Sequence, residues 1–241
     1  MIVRIAMWSG PRNISTAMMR SFENRPDCAV VDEPFYAAYL AATGLDHPLR
    51  EAVLASQPTD WRAVARTLVE DAPAPVFYQK QMTHHMAPGF GLEWMDACRN
   101  AFLIRDPAAV LASYVKARAQ VTLGDIGVVR QHELFDREAD RLGKAPPVIE
   151  GADVLADPRG ALGRLCEALA VPFREEMLSW PAGARASDGV WAPAWYAAVE
   201  RSTGFAAPAR DTSPRLPDHL RRIADQARPH YEALARHRLA R

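Results

Sequence analysis

Cysteines, long apolar runs and net charge are all scarce in this 241-residue chain, and each scarcity excludes something. The three cysteines, Cys28, Cys98 and Cys166, stand far apart and in none of the spacings that ligate metals. They are expected to be reduced thiols of a cytoplasmic protein, with no metal site. No apolar stretch approaches the ~20 residues that span a bilayer, and the amino terminus runs straight into a strand without a signal-peptide layout, so no membrane partner is expected. Twenty-nine basic and 29 acidic residues cancel, leaving no global field to draw the protein onto nucleic acid or a lipid surface. Only the carboxyl-terminal helix is locally basic, with Arg215, Arg221, Arg222, Arg228, Arg236, Arg238 and Arg241. There Asp218, Asp225 and Glu232, with the apolar Leu220, Ile223, Ala224, Ala227 and Leu234, make an amphipathic helix with a solvated face and not a nucleic-acid arm. Internal repeats and low-complexity linkers are absent too. Residues 1–241 are therefore read as one domain, monomeric or homodimeric, with 175–241 as its loop-rich and helical last part.

What is present is an ordinary globular balance, 49% apolar and 24% charged, with short apolar runs alternating with helical periodicity. Strand-like runs fall at Val3–Met7, Ala29–Val31, Val76–Gln79, Phe102–Ile104 and Val148–Glu150. Helical patterns fall at Thr16–Asn24, Trp61–Asp71, Leu92–Cys98, Ala108–Ala117, Ile126–Leu142 and Arg159–Leu169. That alternation predicts right-handed βαβ units, hence an α/β fold with a parallel sheet flanked by helices in three layers.

Two strand-to-helix junctions carry the chemistry. The first, Trp8-Ser9-Gly10-Pro11-Arg12-Asn13-Ile14-Ser15-Thr16, follows the first strand and opens a helix. The first amides of a helix have no internal partner and sit at the positive end of its dipole, so such a turn cradles anions. Arg12 adds a forked cationic donor and Ser15 and Thr16 add hydroxyls. The same residues also fit a plain turn in which Ser15 or Thr16 caps the helix. A triphosphate loop, G-x-x-x-x-G-K-[ST], is not met: aligned on Gly10, Ser15 replaces the second Gly and Thr16 replaces the Lys. The second junction, Arg105-Asp106-Pro107, ends the strand Phe102–Ile104 and begins a helix that carries Ser113 two turns on. Arg105 is thereby placed at a strand's carboxyl end, where open α/β sheets bind ligands. A local Arg105–Asp106 ion pair is the competing reading.

Together these segments resemble the sulfotransferases that use 3′-phosphoadenosine 5′-phosphosulfate (PAPS), with their P-[KR]-x-G-[ST]-T loop and R-[DN]-P-x-[DE]-x-x-x-S segment. Ala152-Asp153-Val154-Leu155-Ala156-Asp157-Pro158 is a further echo, similar to the family's E-D-L-x-x-D-P stretch. More narrowly, the chain resembles the bacterial group with a G-P-R-N-I-S-T loop, V-D-E-P and K-Q-M-x-H-H. Ile14 stands where the wider family has Gly, and Ala152 where it has an acid. The resemblance implies a P-loop-type fold. It also implies transfer of a sulfuryl group from PAPS, with 3′,5′-adenosine bisphosphate (PAP) as product, to a hydroxyl or amine of a small acceptor. Arg12, Asn13, Ile14, Ser15 and Thr16 would hold the 5′-phosphosulfate, and Arg105 and Ser113 the 3′-phosphate. Arg201-Ser202-Thr203-Gly204 would stand in for the family's late R-K-G segment.

For the acceptor proton, the resemblance makes Glu33, at the end of the second strand, the first choice of base. Val76-Phe77-Tyr78-Gln79-Lys80-Gln81-Met82-Thr83-His84-His85 resembles the K-T-H segment of the family's cytosolic branch, which implies Lys80 to steady the leaving group and His84 as a second candidate base, though Met82 and not a His follows Lys80 by two. A structural His84–His85 pair, or a metal-ligand pair lacking partners, fits equally. Tyr36, Tyr39 and Phe35 are candidates for the acceptor pocket, with core packing the competing reading of each, and the aromatic stretch 179–205 is a candidate cover over the nucleotide, with core packing of Trp191 and Trp195 as its alternative. A P-loop kinase-like phosphotransferase and a catalytically silent nucleotide-binding module, the latter kept open by Ile14, remain as alternatives.

Overall fold

The chain builds five parallel strands in the order β2-β3-β1-β4-β5. β1 (Val3–Ser9) lies between β3 (Val76–Met82) and β4 (Arg99–Ile104), with β2 (Cys28–Asp32) and β5 (Val148–Glu150) at the edges. The computed structural model describes residues 2–70, 72, 74–115, 120–206 and 215–239. The helices follow in chain order: α1 (Ser15–Glu23), α2 (Tyr36–Thr43), α3 (Arg50–Ser56), α4 (Trp61–Val69), α5 (Pro107–Tyr114), α6 (Leu123–Ile126), α7 (Val128–Leu142), α8 (Gly151–Ala156), α9 (Pro158–Ala168), α10 (Ala192–Trp195), α11 (Ala197–Glu200) and α12 (Asp218–Ala235). Among the described residues, no helix is long and apolar enough to cross a membrane.

Strand alternation sorts the core into two layers. Ile5, Met7, Tyr78 and Leu103 face α1, α8 and α9 through Met18, Phe22, Val154 and Leu165. Ala6, Trp8, Phe77 and Phe102 face α4, α7 and α12 through Leu68, Phe135 and Leu234. All of β3 is buried, including Gln79, Lys80 and Gln81. Beyond α12 the chain returns to the sheet: Val148 and Arg238 pair in parallel, and the Leu239 amide donates to the Val148 carbonyl at 2.9 Å.

The parallel sheet and its three layers are as expected, and β5 has the expected bounds; the helices differ in three respects. The helix expected over Ile126–Leu142 begins at Val128, because Gly127 sits at φ 69° and ends the short α6 just before it. Leu92–Cys98 is a single 3₁₀ stretch, Glu93–Ala97, and not an α-helix. The alanine-rich α2, the short α3 and the one-turn α8 lie where no helix was expected. The ends of two expected helices, Asp71 and 116–117, lie outside the described residues, as does Arg241. Asp157 and Pro158 of the third echo start a helix: Asp157 accepts from the Gly160 amide at 2.9 Å and Pro158 takes the first turn.

Candidate active site

The turn after β1 is held by close backbone contacts. A Cβ on Gly10 would come within 2.4 Å of the Ile126 carbonyl, so only Gly fits there. Asn13 donates to the Leu103 carbonyl at 2.8 Å, and Gln131 donates to the carbonyls of Trp8 (3.0 Å) and Leu103 (2.9 Å) from behind. The turn then enters α1 with Arg12 at φ 59° and Ile14, the residue before the helix, at φ 38°. No side chain caps α1, so neither Ser15 nor Thr16 acts as the simple cap that the plain-turn reading required. The first amides of α1 open on a cavity of about 420 Å³ that Arg12 through Thr16 line.

A left-handed backbone is rare and costly for a β-branched residue, and Ile14 occupies the conformation that a Gly would take freely. The loop therefore keeps its shape without the family's glycine. We expect Ile14→Gly to resist urea better than Ile14→Ala by about 1 kcal/mol, the reverse of the usual Ala-over-Gly order. Equal or inverted midpoints would show that φ at Ile14 is not strained.

Arg105, at the carboxyl end of β4, lies beside this turn. One of its terminal nitrogens donates to the Arg12 carbonyl, and Arg12 Nε donates to Ser113 Oγ at 3.1 Å. Asp106 does not pair with Arg105. It caps α5 through the amides of Ala108 (2.9 Å) and Ala109 (3.1 Å) and bonds Arg228 at 2.6 Å. Burial and then the positive charge of Arg12 lower the Arg105 pKa, against the pull of Glu150 and Asp106. An anion bound between the two arginines would relieve that repulsion.

Another part of the cavity lining is built on β2 and β3. Asp32 and Lys80 are register partners on the same face, so their side chains meet: Lys80 Nζ donates to Asp32 Oδ1 at 2.8 Å, to Glu33 Oε1 at 2.5 Å and to Tyr196 Oη at 2.8 Å. Lys80 and the Asp32 side chain are only 1% exposed. Glu33 turns out of β2 at φ 42°, held where Gln57 donates to its carbonyl at 3.2 Å and accepts from the Ala37 amide at 3.2 Å. Such strain collects at functional sites. Burial would depress the Lys80 pKa, but Asp32 and Glu33 outweigh it and hold the ammonium well above its ordinary value. Burial raises the Glu33 pKa, against the pull of Lys80 and with Asp32 adding to the rise. Two carboxylates against one ammonium leave one negative charge in excess, so Glu33 is the group with a reason to take a proton.

His85 stacks on Tyr36 (ring centroids 4.4 Å apart) and Tyr39 (5.0 Å), with Nδ1 3.9 Å from Glu33 Oε2. Burial and then the neighbouring His84 drive its pKa well below the ordinary histidine value, so it is neutral. His84 packs edge-on against it and lines the cavity. Tyr36 also lines it, bonded to His47 Nδ1 at 2.9 Å. Phe35, in contrast, is buried against Phe90 and Trp94, and neither it nor Tyr39 reaches the cavity wall.

All ten residues singled out from the sequence, Arg12, Asn13, Ile14, Ser15, Thr16, Glu33, Lys80, His84, Arg105 and Ser113, line this one cavity. The stretch after 179 closes its remaining side with Trp195, Tyr196, Val199, Ser202 and Phe205. Trp191 is instead buried, and of the late segment Ser202 and Gly204 line the cavity while its cation, Arg201, is exposed and off it. Sequence reasoning missed His47 altogether and met Asp32 and Tyr196 only as members of the V-D-E-P segment and the covering stretch, without their bonds to Lys80.

The parallel sheet, with cationic turns after the adjacent strands β1 and β4, defines the class of open α/β folds, in which ligands bind outside the carboxyl ends of the strands where their order reverses. Within that class the chain belongs to the sulfotransferase domain family, whose sequence profile matches residues 3–238. It is similar in fold to the sulfotransferase domain of the Synechococcus PCC 7002 olefin synthase (TM-score 0.59, 18% identity, 97% of this chain and 95% of that one). A sulfotransferase from Alicyclobacillus acidocaldarius is also similar (TM-score 0.59, 14% identity, 99% and 98%). The sulfotransferase domain of the curacin biosynthetic pathway gives a TM-score of 0.54 at 18% identity, over 94% of this chain and 97% of that one. In sequence it is 36% identical over 205 residues to the branched-chain-amino-acid aminotransferase-like protein 1 of Arabidopsis thaliana, and 34% identical over 206 residues to protein 2. Each match covers 85% of this chain but only 37% and 36% of the relative, so the chain spans little more than a third of their length.

Proposed function

We propose that this chain transfers a sulfuryl group from PAPS to a hydroxyl or amine of a small acceptor. The observation that carries the reading is what one cavity brings together. Arg12, Arg105 and the first residues of α1 give it a cationic wall, and Glu33 and Lys80, bonded to each other, line the same cavity. The cationic wall suits a ligand with two separate anionic groups: the helix start and Arg12 for one, Arg105 and Ser113 for the other. PAPS, when bound, supplies the activated sulfuryl group. Sulfuryl transfer is in-line displacement, served by positioning, charge stabilisation and a base. In this reading Lys80 steadies charge on the departing phosphate oxygen, Glu33, with its raised pKa, takes the acceptor proton, and Tyr36 and His84 form the wall against which an acceptor would lie. The aminotransferase-like names of the Arabidopsis relatives bear on a larger protein and leave this assignment as it stands.

Thermal-shift titration with PAP, AMP and ATP, each with and without magnesium, tests the reading. PAP is expected to raise the melting temperature most and without need of the metal, because only PAP presents both anionic groups. A larger shift with magnesium–ATP would favour a phosphotransferase, and no shift with any of the three would favour a module that binds no nucleotide.

A further inference from the structure

The Lys80 ammonium has three hydrogens and three acceptors already hold them: Asp32 Oδ1 at 2.8 Å, Glu33 Oε1 at 2.5 Å and Tyr196 Oη at 2.8 Å. For Lys80 to meet a ligand oxygen, as the proposed sulfuryl transfer requires, one of the three must give way. The carboxylates attract the ammonium charge to charge, whereas the neutral phenol attracts it only through its dipole, so the phenol is the partner that yields. Its hydroxyl is equipped for this. It donates to Asp32 Oδ2 at 2.7 Å and accepts from Trp191 Nε1 at 3.0 Å, so it keeps both bonds when the ammonium leaves.

The backbone holds Tyr196 in place for this exchange. It sits at the junction of α10 and α11, on an excursion from 179 to 204 whose base is closed by the Ser179–Gly204 bridge, by Trp180 N to Thr203 O (3.1 Å) and by Gly183 N to Glu200 O (2.7 Å). Midway along, Asp188 binds the buried Arg20 of α1 at 2.7 Å, and the Gly189 amide donates to Asp32 Oδ2 at 3.2 Å. One segment thus grips the anion-cradling helix and the lysine cluster together.

We propose that Tyr196 is a positioning residue: its hydroxyl fixes the Lys80 ammonium at the cavity wall and cedes the third hydrogen to the ligand oxygen that arrives there. This rests on the sulfuryl-transfer reading for the identity of that oxygen, but not for the hydrogen bond itself. The chain has three lysines, so ¹⁵N-lysine labelling resolves the ammonium of Lys80 with few rivals. In the unliganded protein its hydrogens are expected to exchange with water slowly, and in Tyr196→Phe at least about tenfold faster, since one of them is then unheld. PAP affinity, by calorimetry, is expected to rise about 3- to 10-fold in Tyr196→Phe, the worth of one ordinary hydrogen bond no longer given up on binding. It is expected not to change when the same substitution is made in Lys80→Met.

Unchanged Lys80 exchange in a folded Tyr196→Phe protein overturns the proposal, as does an affinity change that persists without Lys80. If Lys80→Met does not fold, the exchange measurement decides alone. Failure of the unsubstituted protein to bind PAP, with the exchange difference present, would overturn the donor assignment and leave Tyr196 in its role.

Discussion

Glu33→Gln is expected to fold, to bind PAP as the parent does, and to transfer sulfuryl groups about 10²–10⁴-fold more slowly, the range for loss of a general base. Folding should survive because the substitution leaves Lys80 and Asp32 as a balanced pair and removes the excess charge, while the amide oxygen can still accept from Lys80. The pH dependence gives the sharper test. A base acts only when ionised, and burial raises the Glu33 pKa. The parent's rate should therefore climb with pH through a value above the ordinary carboxylate range and level off beyond it. In Glu33→Gln that limb should vanish. If the limb survives while the rate falls, the titrating group is another one, and His84, on the same cavity wall, becomes the candidate.

Arg105→Ala should weaken PAP binding by about 2–5 kcal/mol, roughly thirtyfold to a few thousandfold, because a charged, partly buried donor is lost from one anionic group of the ligand. The same substitution should erase the preference for PAP over AMP, since AMP lacks the group that Arg105 is proposed to meet. Arg105→Lys should recover only part of the loss: it restores the charge but not the two-pronged donor, and one prong now carries the Arg12 carbonyl. Wild-type PAP affinity in Arg105→Ala, measured by calorimetry, would sink the assignment of the second anion site.

Much of this was legible in the sequence because it is local. The turn after β1 and the start of α5 each lie within about ten residues, and strand alternation alone brings Asp32 and Lys80 to one face. The strands were underestimated at their ends: β3 runs through Met82 because Gln79, Lys80 and Gln81, polar and so read as the strand's end, are buried in satisfied bonds, Gln79 donating to the Leu68 carbonyl at 2.9 Å and Lys80 to its three partners. Tyr196 could not be found that way. It stands 116 residues from Lys80, on a segment with no periodicity, and only the closed excursion brings them together. Trp191 shows the same limit from the other side: its sequence context allowed both a place over the ligand and one in the core, and the fold gives it the core, with its indole nitrogen committed to Tyr196.

The return of the chain to β5 bears on solubility more than on catalysis. β5 is a three-residue outer strand, and a strand with a bare flank is a template on which another copy's backbone can add. Arg238 and Leu239 occupy that flank, where Leu239 takes the Val148 carbonyl and Arg238 sets a large charged side chain at the rim. These two residues act as a chain stop against edge-to-edge self-assembly. A version of the protein cut back to α12 would keep every residue of the cavity and yet lose its protection against aggregation.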